Sequence, residues 1–269
     1  IVHIQRGAWA EINLDAVAHN VQMAKANLKP TTKLCAVVKA DAYGHGAVRV
    51  AQEAARNGAD FFAVALLQEG VKLREAGIET PILVLGSMLP EVAEICVRYD
   101  ISHAVFDEER LYALNAAALK LHTKAKIHIK IDTGMHRIGV HVRDAGRFAK
   151  LAASLPGIYI EGVFSHFATA DADDKQYAAY QFERFQEALR LIEAEGVHIP
   201  IRHIANSAAL TELQEYQLDM VRQGITLYGL HPAHMIDCYK DFEPVMTVKT
   251  QVAFVKTLPP GETIGYGRT

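Results

Sequence analysis

The sequence predicts an α/β protein: a (β/α)8 barrel of the TIM type, followed by a second, β-rich domain that is expected to be incomplete in this chain. Three observations lead there. Short continuous apolar runs alternate with longer amphipathic stretches, the pattern of buried parallel strands covered by helices. Eight such units fall within about 220 residues, which is the arithmetic of the barrel. From about Phe242 the pattern changes to partial alternation of apolar and polar residues, as in a half-exposed antiparallel strand. A doubly wound open sheet is the alternative, but it has fewer parallel strands, and no Gly-x-Gly-x-x-Gly follows the first strand.

Taken in order, "GAWAEINLDA" (7–16) predicts a strand ahead of the first barrel unit. "KLCAVVKA" (33–40) is the first barrel strand, and "HGAVRVAQEAARNG" (45–58) is its helix, stopped at Gly58. "FFAVAL" (61–66) pairs with the helix "QEGVKLREAG" (68–77). "PILVLGS" (81–87) precedes "PEVAEICVRYD" (90–100), which carries proline in its first turn. "SHAVFD" (102–107) precedes "EERLYALNAAALK" (108–120), and "KIHIKID" (126–132) precedes "DAGRFAKLAASL" (144–155). "IYIEGVFSHF" (158–167) leads into the long helix "KQYAAYQFERFQEALRLIEAEG" (175–196). "IRHIANS" (201–207) and "MVRQGITLYG" (220–229) close the series. The barrel is expected over 14–236. Residues 1–13 and 237–269, with "VMTVKTQVAFVKTL" (245–258) and the turn "PPGET" (259–263), are assigned to the β-rich domain.

The bulk numbers exclude several classes. With 269 residues, half of them apolar and 22% charged, the chain suits a globular protein with a sizeable core. A formal charge of −3 gives no basic surplus for nucleic acid and no polybasic block for a membrane surface. Three widely spaced cysteines, Cys35, Cys96 and Cys238, form no metal-binding spacing and read as reduced thiols of a cytoplasmic protein. No signal peptide and no apolar run of membrane-spanning length is seen, and no metal site is expected.

A (β/α)8 barrel places its site at the carboxyl ends of its strands, with phosphate often bound by the loops after strands 7 and 8. That rule selects Lys39 and Tyr43 after strand 1, Lys130 and Asp132 on strand 5 with Arg137 just beyond, and His166 ending strand 6. It also selects Asn206 and Ser207 after strand 7, and Arg222, Gly224 and Ile225 on and after strand 8. Ser207, Tyr43 and backbone N–H groups near Gly224 suit a phosphate. An amine in apolar surroundings becomes a better nucleophile toward carbonyls. Lysine plus a phosphate cradle suggests pyridoxal phosphate (PLP) held covalently, or an aldolase-type lysine that captures a sugar-phosphate carbonyl. Singly, each residue has a plainer reading. Lys39 suits a surface, His166 a satisfied core histidine, Asn206 and Ser207 a helix cap, and Arg137 and Arg222 structural ion pairs. Their recurrence at strand ends favours a site.

"AVVKADAYGHGA", "KIDTGMHRIG", "EGVFSHFATAD", "HIANSAAL", "VRQGITLYGL" and "GETIGYGRT" occur in order between Trp9 and Thr269, and together they resemble the alanine racemases, PLP enzymes of fold type III. The resemblance implies a cofactor, PLP, carried by Lys39. It implies contacts to the cofactor phosphate from Tyr43, Ser207, Gly224 and Ile225, with Asn206 beside them. Arg222 would face the pyridine nitrogen, and an arginine does not readily release a proton to it. His166 would lie near the ring. Arg137 would hold the substrate carboxylate, and Lys130 matches a lysine that is often carbamylated. Racemisation needs a base on each face of a planar carbanion. The family supplies one from Lys39 and the other from a tyrosine of the partner subunit, matched here by Tyr266. A head-to-tail homodimer with shared sites, D-alanine supply for peptidoglycan and a cytoplasmic location are implied with it. A serine or broad-specificity racemase, and a non-catalytic PLP-binding protein of the same fold, are the alternatives. Two positions depart from the family pattern: His136 stands where glycine is usual, and Gln223 where proline is frequent. Family members continue for roughly another hundred residues of β-domain, so a weak or inactive chain is expected.

Overall fold

The computed structural model describes residues 7–232 and 238–268. Eight parallel strands run round a nearly closed barrel: β2 (Lys33–Val37), β3 (Phe61–Val64), β4 (Ile82–Val84), β5 (Ser102–Val105), β6 (Ala125–Asp132), β8 (Ile158–Phe164), β9 (Ile201–His203) and β10 (Met220–Gln223). A short β7 (Val140–His141) adds to β6 outside this ring. β10 pairs with β2 in register Arg222 opposite Cys35. The seam between β9 and β10 is bridged by Asp219 N–H to Arg202 O and Arg222 N–H to Ala205 O, both 3.1 Å. The barrel expected from the alternation of apolar runs and amphipathic stretches is therefore observed.

Helices α3 (Ala47–Arg56), α4 (Leu67–Glu75), α5 (Ala93–Arg98), α6 (Glu108–Lys120), α7 (Ala145–Ser154) and α8 (Gln176–Ala194) follow successive strands. Each lays an apolar stripe on the sheet, as Val50, Ala51 and Ala54 do in α3. Outward residues such as Phe62, Val64, Ile82 and Val84 are fully buried beneath them. Truncating one of these to alanine would cost about 2–5 kcal/mol. Inward residues Cys35, Phe61, Ala63, Leu83, Ile201 and Met220 fill the barrel interior.

The boundaries differ from expectation in a consistent way. The predicted strands ran on to 40, 66, 107, 167 and 207, but the ladders stop at Val37, Val64, Val105, Phe164 and His203. Residues beyond the ladders, such as Val38, Phe167 and Ala205, stay buried because the loops fold over the barrel mouth. The apolar run thus outlasts the strand. "MVRQGITLYG" divides into β10 and a 3-10 turn, Ile225–Tyr228.

The longest element not anticipated is a 13-residue helix; shorter ones such as β7 were not anticipated either. α1 (Leu14–Ala26) starts at Asn13, whose side chain accepts from Asp15 N–H at 3.0 Å and Ala16 N–H at 3.2 Å. Val17, Val21 and Ala24 form its buried stripe. Among the described residues no long helix directly follows β10, and α1 packs there instead. Asn20 Nδ2 donates to Leu227 O at 3.1 Å, and Gln223 Nε2 donates to Asn20 O at 3.1 Å.

β1 (Ala8–Ile12) and β11 (Met246–Thr250) form a separate antiparallel ribbon, with Trp9 opposite Lys249. The alternating strand expected over 245–258 is thus shorter than its pattern. Residues 251–258 join no ladder, and Val252 and Phe254 are exposed. The turn expected over 259–263 is present, closed by Glu262 N–H to Pro259 O. The expected domain boundary at 236–237 lies outside the described residues.

Candidate active site

Lys39 opens a short left-handed turn, α2 (Lys39–Tyr43), rather than ending a strand. Ala40, Asp41 and Ala42 hold φ between 52° and 56°, and Tyr43 follows at 52°. Such a conformation costs roughly 1–2 kcal/mol per residue in L-amino acids, so the surroundings must hold it. Glu69 Oε1 accepts Ala40 N–H at 2.5 Å, while Glu69 Oε2 accepts the N–H groups of Ala65 and Leu66. Asp41 Oδ1 accepts Ala47 N–H and the Lys72 ammonium, both at 3.1 Å. The turn brings both functional side chains of this loop together, with Lys39 Nζ 5.7 Å from the centre of the Tyr43 ring. Tyr43 packs on Tyr228 at 5.0 Å, and the buried Tyr228 hydroxyl donates to Val37 O at 2.9 Å.

Across the mouth, β9 leads into α9 (Ser207–Glu212) and β10 into Gly224. Asn206 caps α9, its Oδ1 accepting Ala209 N–H at 3.0 Å, so its plainer reading as a cap is the one its side-chain oxygen fulfils. Ser207 Oγ accepts Gly224 N–H at 2.8 Å. A β-carbon on Gly224 would lie 3.5 Å from Tyr43 Oη and 3.7 Å from Ser207 Oγ. Glycine therefore leaves a gap bordered by two hydroxyls, groups that suit a phosphate.

Arg222 is buried at the end of β10, and among the described residues no carboxylate is bonded to it. Its Nη2 donates to Ser165 O at 2.8 Å, to Ile204 O at 3.0 Å and to His166 Nδ1 at 3.0 Å, and its Nη1 donates to His203 Nδ1 at 2.6 Å. Burial lowers its pKa to about 10, which leaves it a cation at neutral pH. Burial first, and then the Arg222 charge, push His166 and His203 well below the ordinary histidine range. Both are neutral acceptors at Nδ1, so each carries its proton on Nε2. Lys130, from β6, donates to Ile131 O at 2.7 Å. Burial and Arg222 bring its pKa down to about 7. His136 stands at φ 54° with Nδ1 3.0 Å from Asp132 Oδ2. Its own N–H donates to Asp132 Oδ1, also at 3.0 Å, and so fastens the loop that carries Arg137.

These residues face one cavity of about 560 Å³ at the carboxyl ends of the strands. Lys39, Tyr43, Lys130, Arg137, His166, Asn206, Ser207, Arg222, Gly224 and Ile225 all line it. Tyr266 does not; it is fully exposed beyond the ribbon. The family model "Alanine racemase, N-terminal domain" matches residues 12–232.

The chain belongs to the alanine racemase family.

It is 46% identical to "Alanine racemase" of Desulfovibrio desulfuricans over 99% of its own length and 72% of the relative's. Among solved structures, alanine racemase of Clostridium difficile 630 superposes with TM-score 0.93 at 38% identity, covering 98% of this chain and 70% of that one. The alanine racemase of Bacillus anthracis with bound L-Ala-P gives TM-score 0.91 at 36% identity, over 99% of this chain and 69% of that one. Alanine racemases are a family of PLP-binding racemases. The residues present fit that group: an amine, two hydroxyls at the Gly224 gap and a buried cation all line the cavity. No helix among the described residues is long and apolar enough to cross a membrane. Two residues around the site escaped the sequence reading. Tyr228 braces Tyr43, and His203 braces Arg222. His203 had a signal in its inward position on β9, one residue-pair ahead of Asn206.

Proposed function

We propose that this chain takes part in the interconversion of L-alanine and D-alanine with PLP, within a cytoplasmic head-to-tail homodimer that supplies D-alanine for peptidoglycan. The observation that carries the reading is the convergence of ten of the predicted residues on one cavity of about 560 Å³.

PLP bound there would supply an electron sink that acidifies the substrate α-carbon. Lys39 anchors the cofactor and moves a proton at the α-carbon on one face. Tyr266 of the partner subunit serves the other. Tyr43 Oη, Ser207 Oγ and the backbone at Gly224 and Ile225 bind the phosphate, with Asn206 shaping that wall. Arg222 faces the ring nitrogen and, as a cation that keeps its proton, leaves that nitrogen unprotonated. His166, neutral with its proton on Nε2, presents that N–H to the cavity for orienting the phenol. Arg137 holds the substrate carboxylate. Lys130, near neutrality as an amine, is a nucleophile for carbon dioxide, which favours its carbamate.

The test is a D/L-alanine exchange assay, with serine run beside it. Exchange of alanine that is lost in Lys39→Ala supports the reading. Exchange of serine in preference to alanine overturns it, as does no exchange with either by a PLP-loaded protein in which this chain is continued through a complete β-domain.

A further inference from the structure

The buried Arg222 cation has its nearest linked carboxylate two imidazoles away. Arg222 Nη1 donates to His203 Nδ1 at 2.6 Å, and His203 Nε2 lies 2.9 Å from His128 Nδ1. His128 Nε2 lies 3.0 Å from Glu161 Oε2, which also accepts the Ser102 hydroxyl at 2.5 Å. His128 and His203 are fully buried, and the Glu161 side chain is 13% exposed. Burial pushes the Glu161 carboxyl up, but the hydrogen bond and charge interaction with His128, the Ser102 hydroxyl and the charge of Lys126 outweigh it, and its pKa lies below the usual carboxylate value.

The direction of this chain is dictated by its first donor. A guanidinium has only N–H to offer, so His203 Nδ1 must accept. A neutral His203 then carries hydrogen on Nε2 and donates it to His128 Nδ1. His128 carries its hydrogen on Nε2 in turn and donates to the carboxylate. Each bond polarises the next in the same sense. The backbone is shaped for it: β8 shifts register where Ile127 gives way to His128, placing Gly162 opposite His128. A β-carbon on Gly162 would fall 2.4 Å from His128 Nδ1. Phe164 stacks on His203 at 4.9 Å, which keeps the imidazole plane fixed.

We propose that Glu161 and His128 are positioning residues: by accepting at the Nε2 side they secure the His203 tautomer that Arg222 selects at Nδ1, and so hold the Arg222 guanidinium aimed into the cavity. Neither touches the cavity, and the carboxylate at the far end supplies the compensating charge that a buried cation requires. The functional meaning rests on the reading of the cavity as a PLP site, but the tautomer does not.

The experiment is ¹⁵N NMR of histidine-labelled protein, paired with PLP binding followed by absorbance. The native chain should show His203 and His128 as single Nε2–H tautomers at neutral pH. His128→Leu should convert His203 to a tautomer mixture and weaken PLP binding roughly ten-fold, as loss of one charge-assisted bond would. Glu161→Gln, which keeps an acceptor for His128, should retain the His203 tautomer, whereas Glu161→Ala should lose it. If His128→Leu does not fold, the Glu161 pair decides the matter. A native His203 proton on Nδ1, or Glu161→Ala with unchanged tautomer and PLP affinity, overturns the proposal. If the native protein takes up no PLP while the tautomers behave as stated, the relay stands and the cofactor reading falls.

Discussion

Arg222 Nη2 donates to His166 Nδ1 at 3.0 Å, which makes a permanent cation the neighbour of an imidazole at the cavity edge. Burial and that cation hold His166 neutral, so its folded pKa lies well below the unfolded value of 6.5. The sign follows. The unfolded chain takes up this proton below about pH 6.5 and the folded chain does not, so His166 costs stability as pH falls. In Arg222→Leu the His166 pKa should rise, because one of its suppressing charges is gone. Histidine NMR titration of both proteins checks this. An unchanged His166 titration in the variant would show that the contact has no electrostatic effect.

Lys39 should be the residue that carries PLP. Borohydride reduction followed by peptide mapping should place the label on the peptide containing Lys39, and Lys39→Ala should lose the bound-cofactor absorbance while melting near the parent temperature. Label on another lysine would sink the assignment.

Ser207→Ala removes the acceptor of Gly224 N–H. The expected stability loss is about 1 kcal/mol. PLP affinity should fall by roughly ten-fold or more, since the same hydroxyl borders the gap at Gly224. Denaturant melts and equilibrium dialysis measure the two effects separately, and loss of stability without loss of affinity would remove Ser207 from the phosphate site.

Lys130 is an amine whose folded pKa of about 7 lies below its ordinary 10.5. Between those values the unfolded chain binds the proton and the folded chain does not, so the native protein gains stability as pH rises through that window. Lys130→Met should therefore be more stable than the parent near pH 7 in buffer free of carbon dioxide, with the advantage shrinking toward pH 10. In ¹³C-bicarbonate the parent should show a carbamate resonance that the variant lacks.

Tyr266→Phe should leave the stability of the isolated chain unchanged, because the side chain is fully exposed there. It should impair proton abstraction from one enantiomer of alanine far more than from the other. Mixed dimers of Lys39→Ala with Tyr266→Phe should regain activity, since one hybrid site then holds both bases. No recovery in a verified mixed dimer would refute sharing across the interface.

The α8 helix and the barrel strands were legible because burial demands a period: 3.6 residues for a helix lying on a sheet, and unbroken apolar runs for strands covered on both faces. α1 was passed over because its apolar stripe is built partly from alanine, Ala16 and Ala24 beside Val17 and Val21, and stands out little from its flanks. The strand ends were overdrawn because residues such as Val38 and Phe167 are buried by loops rather than by the sheet.

The sequence by itself determined which side chains stand at the carboxyl ends of the strands, since parallel barrel topology and residue type leave that little freedom. Lys39, Lys130, His166, Ser207 and Arg222 were identified this way, and all of them line the cavity. Only the tertiary structure decided how they are aimed. The left-handed turn at 40–43 is unfavourable for every residue in it and exists because Glu69 and Asp41 supply or receive bonds from distant parts of the chain. The tautomer of His166 was decided by Arg222, which stands 56 positions further along the chain, and that of His203 by Arg222 at one ring nitrogen and His128 at the other. Local patterns record which face of an element is buried. Hydrogen-bond direction depends on which groups meet across the barrel, and that is settled only when the sheet closes.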